Sequence, residues 1–165
     1  MENSDVNKIL KVFHSKDWSK YYDYQDEPNF KKNIWFKINK VKEFDFVRDL
    51  ITKDLQKINS NYKLSEWITF LIYKKGDYFN KHIDGPSYNS KKSNTILSGG
   101  YLLNDEYEGG EFVVGLPTRW DSSIIPKDVG KIFLFGRDVY HEVKEVKKGI
   151  RYSLHFAVDK KKDII

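Results

Sequence analysis

Residues 73–85 read Y-K-K-G-D-Y-F-N-K-H-I-D-G and hold His82 and Asp84 with one residue between them. On an extended strand, residues two apart point to the same face, so both side chains aim at one spot. An imidazole and a carboxylate on one spot are two thirds of a facial metal triad, which leaves coordination positions open for chemistry. Taken alone, H-x-D is a weak signal in a chain of this size. It gains force from His141 and Arg151, which follow at a distance.

From Leu64 onward the apolar period is two. Strands are expected at Trp67–Lys74 and Tyr78–Phe79, then at about 94–103, 110–114, 131–136, 139–144 and 150–158. Gly109-Gly110 reads as a bulge or tight turn, because no helix follows it to make a phosphate loop. The polar loops 85–93 and 116–129 are both candidate lids. Upstream the period is 3.6. Ser4 is placed as the N-cap of a short helix carrying Val6, Ile9, Leu10 and Phe13, which ends near His14. Residues 17–33 read as a loop and Ile34–Asn39 as a strand. Glu43–Asn59 is a helix whose stripe of Phe44, Val47, Leu50, Ile51, Leu55 and Ile58 marks a wall packed on a sheet. Helices first and short strands afterwards give an α+β chain, mainly β, with a sandwich or barrel.

Composition narrows the function classes. The 165 residues fit a single domain, 1–165, with 39% hydrophobic, 32% charged and 16% aromatic residues. Cys is absent, which excludes disulfides and thiolate ligation, so a metal site must use His and carboxylate. The opening M-E-N-S-D-V-N-K-I-L has no uninterrupted apolar run, so neither a signal peptide nor a membrane segment is expected and the assignment is cytoplasmic. A net charge of +5 admits a nucleic-acid partner. The lysines are scattered and interleaved with acids, however, and K-K-K at 160–162 reads as a solvated tail.

Two neutral imidazoles and one carboxylate from His82, Asp84 and His141 suit Fe(II), with zinc as the competitor. Arg151 favours iron with a co-substrate. In I-R-Y-S-L-H-F-A-V, residues Ile150, Tyr152, Leu154, Phe156 and Val158 face one way, and Arg151, Ser153, His155 and Ala157 the other. An Arg on the less apolar face of a core strand needs an anionic partner. With a serine hydroxyl two residues on, it makes a fork for a carboxylate. An internal Arg–Asp pair is the plain alternative.

This set of residues resembles the Fe(II)/2-oxoglutarate-dependent dioxygenases, in particular their prolyl 4-hydroxylase-like branch. The likeness rests on H-I-D at 82–84, His141, the basic residue ten positions later, and Tyr73 nine positions before His82. It extends to Y-L-L-N-D-E-Y-E-G-G-E-F at 101–112 and to the closing segment 130–154, and covers about residues 66–158. The resemblance implies a distorted double-stranded β-helix, a jelly-roll-like barrel at about 66–158, with 1–65 as supporting helices and loops. It implies Fe(II) on His82, Asp84 and His141. Arg151 would hold the distal carboxylate of 2-oxoglutarate, helped by Ser153 and Tyr73. The implied reaction consumes dioxygen and 2-oxoglutarate, releases succinate and carbon dioxide, and hydroxylates a side chain of a protein or peptide; ascorbate is a further candidate cofactor. Lys is common where this chain has Arg151 in the collagen-type enzymes, which loosens the substrate assignment.

The same chemistry on a nucleic-acid base is one rival. It is disfavoured because residues 152–158 lack the second Arg usual in the alkylated-base demethylases. A non-catalytic metal-binding β-barrel is another, and a zinc hydrolase a weaker third. His155 reads as a hydrogen-bonded core histidine, with a spare ligand or proton carrier as alternatives. Trp120 reads equally as a partner contact or as a plug for the barrel end, and Arg119 and Arg137 as surface-paired residues.

Overall fold

The alternation in residues 150–158 is the spine of the structure, a computed structural model that describes residues 1–84, 95–115 and 122–161. Helices α1 (Asn3–His14) and α2 (Asp45–Ile58) stand with strands β1 (Asp23–Glu27), β2 (Lys31–Lys37) and β3 (Tyr62–Tyr73) in the first half. Then follow β4 (Tyr78–His82), β5 (Thr95–Leu102), β6 (Tyr107–Gly109), β7 (Phe112–Gly115) and β8 (Ser122–Ile124). The chain closes with β9 (Ile132–Gly136), β10 (Tyr140–Val143), β11 (Val146–Gly149) and β12 (Arg151–Lys160). Strand β12 lies antiparallel between β3 and β5, within the order β8-β7-β10-β4-β2-β3-β12-β5-β9. The curled antiparallel sheet is a distorted double-stranded β-helix backed by helices, as expected.

One face of this sheet is the core. Ile34 and Phe36 of β2, Phe70 and Ile72 of β3, and Leu154 and Phe156 of β12 are buried with Ile9 and Phe13 of α1 and Val47 and Ile51 of α2. Phe70 is fully buried and stacks on Phe13 with ring centroids 4.6 Å apart. Phe70→Ala removes that contact and leaves a cavity between helix and sheet. Its expected cost is about 3–5 kcal/mol in denaturant unfolding.

Several boundaries differ from the expectation. Residues 17–33 are not a loop throughout: β1 pairs with β2 in a hairpin, with Asn29 at φ 62° in the turn. D-Y-Q-D-E is an exposed outer strand with no apolar face, so it carries no period-two signal. Strand β3 begins at Tyr62, well before Trp67, and the short strands β6, β8 and β11 were not foreseen. Helix α1 is capped from Glu2, whose N–H donates to Asp5 Oδ2 at 3.0 Å, which leaves Ser4 inside the first turn. Ile58, placed on the buried stripe, is 51% exposed at the last residue of α2. The Gly109-Gly110 turn holds as read, with φ at +72° and +62°. Among the described residues no helix is long and apolar enough to cross a membrane.

Candidate functional site

Register brings the three proposed ligands together. Strands β4 and β10 are antiparallel neighbours, and His82 sits opposite His141. Asp84 lies two residues past the end of β4 and turns back on the pair. Its Oδ1 is 3.8 Å from His82 Nε2 and 3.4 Å from His141 Nε2. One donor atom from each of the three residues falls within 4.8 Å of the others.

Both imidazoles are set up as ligands. His82 Nδ1 lies 2.8 Å from the Asn80 carbonyl and His141 Nδ1 lies 3.2 Å from that of Val139. A carbonyl can only accept, so Nδ1 carries a proton in each ring and Nε2 is the nitrogen that faces the centre. His82 also stacks on Phe79 at 3.8 Å, and His141 packs against Phe135. Burial holds the His82 pKa below the ordinary imidazole value, against the pull of the Asn80 carbonyl. Burial opposes the Asp84 charge, yet the imidazoles of His141 and His155 outweigh it and keep the carboxyl well below the usual carboxylate range. Two imidazole nitrogens and a carboxylate oxygen within 4.8 Å of one another fit a divalent iron ion.

The second oxygen of Asp84 is held elsewhere. Ser98 Oγ, on β5 and 3% exposed, donates to Asp84 Oδ2 at 2.6 Å. His155 Nε2 lies 3.4 Å from the same oxygen, without hydrogen-bond geometry. With its side chain 35% exposed, His155 is not a core histidine. It lines the cavity and borders the carboxylate. Ser98 escaped the sequence reading, where the one hint is a hydroxyl set between Leu97 and Gly99-Gly100. Ser98→Ala is expected to weaken divalent-metal affinity by about 10–100-fold, the usual loss when a ligand's orienting partner is removed. Isothermal titration with Mn(II) checks this without turnover.

Arg151 closes the other end of the same cavity, whose volume is about 100 Å³. It is 2% exposed, and no carboxylate stands within ion-pair range of it among the described residues. Its Nη1 donates to Ser153 Oγ at 2.7 Å, and its Nε has no partner. Tyr73, in register with Arg151 on β3, lies beneath the guanidinium at 5.2 Å. Burial pushes the Tyr73 phenol up to about 12 despite the adjacent cation, so it is neutral and can donate a hydrogen bond. Burial likewise raises Tyr107, a second phenol beside Arg151 that the sequence reading missed. Leu71, Phe112, Phe133 and Val143 supply apolar walls. A lone buried guanidinium, a hydroxyl and a neutral phenol fit a carboxylate.

Other expectations resolve simply. Arg137, read as surface-paired, donates to the Thr95 carbonyl at 3.2 Å. Arg119, Trp120, loop 85–93 and the first part of loop 116–129 lie outside the described residues.

The profile of the 2OG-Fe(II) oxygenase superfamily matches residues 68–158. A PKHD-type hydroxylase of Prochlorococcus marinus (strain MIT 9515) is 28% identical over 104 residues, 63% of this chain and 46% of the relative. The chain thus spans less than half the length of that curated relative. Among solved structures, a Pseudomonas putida prolyl-4-hydroxylase aligns with a TM-score of 0.74 at 16% identity, covering 98% of this chain and 89% of the other. A Trichoplax adhaerens prolyl hydroxylase, solved with a hypoxia inducible factor oxygen degradation domain peptide fragment, aligns at 0.74 and 15% identity, covering 95% and 79%. These two likenesses are of fold.

Proposed function

Because the chain belongs to the 2OG-Fe(II) oxygenase superfamily, we propose that it hydroxylates a protein or peptide side chain, with Fe(II) on His82, Asp84 and His141. The observation that carries this reading is Arg151. A cation 2% exposed, with no carboxylate beside it among the described residues, shares a cavity with a His-Asp-His cluster. Such a charge is costly unless an anion arrives to meet it. 2-Oxoglutarate supplies that anion through its distal carboxylate.

Each residue then has a part. Arg151 binds the carboxylate, and Ser153, already accepting from Arg151, keeps its own O–H free to donate. Tyr73 contributes a neutral O–H from the neighbouring strand. The apolar walls exclude water and strengthen these contacts. Bound Fe(II) with 2-oxoglutarate supplies the oxidising chemistry that uses dioxygen, and the chain supplies position and a dry pocket. In the balanced reaction one oxygen atom enters the substrate C–H bond as hydroxyl and the other enters succinate, with carbon dioxide released. The substrate class is supported by the fold likeness to prolyl hydroxylases, one of them solved with a peptide.

The test is succinate formation from Fe(II), 2-oxoglutarate and dioxygen. Slow succinate release without substrate, accelerated by a peptide that gains one oxygen atom, is the expected result. No succinate from protein shown to hold both metal and 2-oxoglutarate would overturn the reading.

A further inference from the structure

The inner face of the sheet continues beyond the cavity. Arg151, Ser153 and His155 on β12 pair in register with Tyr73, Leu71 and Thr69 on β3. Leu71 and Thr69 pair in turn with Trp35 and Lys37 on β2. Register partners share a face, so Trp35, Lys37 and Trp67 stand on the face that carries the cavity side of β12. The opposite face is buried under the helices. This one is open: Trp67 is 58% exposed, and Trp35, Lys37 and Thr69 are partly exposed. A groove of about 220 Å³ runs there and shares Leu71 and Phe79 with the cavity.

Its chemistry is specific. Lys37 Nζ rests over the Trp67 ring at 3.8 Å and lies 5.7 Å from the Trp35 ring centroid. No carboxylate pairs with Lys37 among the described residues. The other groove cation, Lys31, is already met by Glu27 at 3.0 Å. The remaining polar lining, Gln25, Asn33 and Thr69, is neutral.

We infer that the Trp35–Lys37–Trp67 surface is a peptide subsite that takes one acidic side chain on Lys37, with flanking apolar residues on the indole faces. This rests on the proposed protein or peptide substrate and adds where and how the substrate is recognised. A single free cation between two aromatic rings suits one carboxylate. A nucleic-acid strand needs a row of cations for successive phosphates. Here Lys31 is already paired with Glu27, and strand β1 sets Asp23 opposite Trp35, so no such row forms. Lys37 stands two strand spacings from His155, roughly 10 Å, which an extended peptide covers in about three residues.

The experiment presents the full chain, with Mn(II) and 2-oxoglutarate, to an array of random short peptides. Expected is enrichment of Asp or Glu next to aromatic, aliphatic or proline residues. Lys37→Glu moves that enrichment to Lys or Arg, and Trp67→Ala lowers the retained signal roughly tenfold, a loss of the size set by one aromatic–cation subsite. Thermal midpoints like that of the unaltered protein certify both variants as folded. Peptide selection without acidic enrichment, or unchanged in Lys37→Glu, overturns the subsite. So does loss of all peptide binding to competing oligothymidylate, which makes the groove a nucleic-acid track. A 2-oxoglutarate titration of the unaltered protein tests the parent reading separately, since it does not involve the groove.

Discussion

Arg151→Met loses 2-oxoglutarate binding and gains thermal stability. Truncating one partner of a buried charge pair typically costs 2–5 kcal/mol, so the dissociation constant for 2-oxoglutarate is expected to rise roughly 30- to 3,000-fold. Stability moves the other way because the unliganded protein holds the guanidinium at 2% exposure. Ser153 and the two phenols soften that burial but do not neutralise it. Tyr73, raised by burial to about 12, carries no negative charge at any working pH. Methionine has a similar volume and no charge; replacing even a paired set of buried charges by apolar side chains is often neutral or stabilising by about 1–4 kcal/mol, and an unpaired charge has less to lose. At about 2–4 °C per kcal/mol for a chain of this size, the melting point rises by several degrees. Calorimetry and a 2-oxoglutarate titration on the same sample check both signs. Unchanged affinity for 2-oxoglutarate ends the carboxylate-clamp role. A lower melting point with lost affinity assigns Arg151 a structural role as well.

Removing a ligand is the second large effect. His82→Ala, Asp84→Ala and His141→Ala are each expected to cut Fe(II) affinity by more than about 100-fold, beyond the loss from an orienting residue such as Ser98. The accompanying effects differ with where each group sits. His141 is 6% exposed, with its ring packed on Phe135, so its removal opens a hole as well as a coordination position. Asp84 provides the only carboxylate of the cluster, so Asp84→Asn, which keeps the shape, separates charge from packing. Equilibrium dialysis under anaerobic conditions measures all four. A variant that binds iron as the unaltered protein does removes that residue from the ligand set.

What the sequence could reveal follows a physical divide. The cavity face of β12 was legible because alternation is local: Arg151, Ser153 and His155 fall on one side whatever the strand pairs with. The pairing of His82 with Asp84 was legible as a motif, but for an incomplete reason. Strand β4 stops at His82, and Asp84 reaches the site from beyond the strand end. The convergence of His141 was not legible from spacing, since it depends on β10 pairing with β4 across nearly sixty residues of chain. Ser98 was invisible for the same reason: its role exists only because β5 runs beside β12 and faces Asp84. His155 was read as core because alternation cannot show that its face opens into a cavity, where its side chain is 35% exposed and borders Asp84. The β1–β2 hairpin was missed because β1 buries no apolar face.

These long-range placements make one measurement decisive. Under anaerobic conditions the protein receives Fe(II) and then 2-oxoglutarate, and the visible charge-transfer band of an iron-chelated keto acid is recorded. The band is expected in the unaltered protein, absent in His82→Ala, and shifted to far higher 2-oxoglutarate concentration in Arg151→Met. Iron demonstrably bound with no band at any 2-oxoglutarate concentration would contradict the account, because His82, Asp84, His141 and Arg151 would then not form one site.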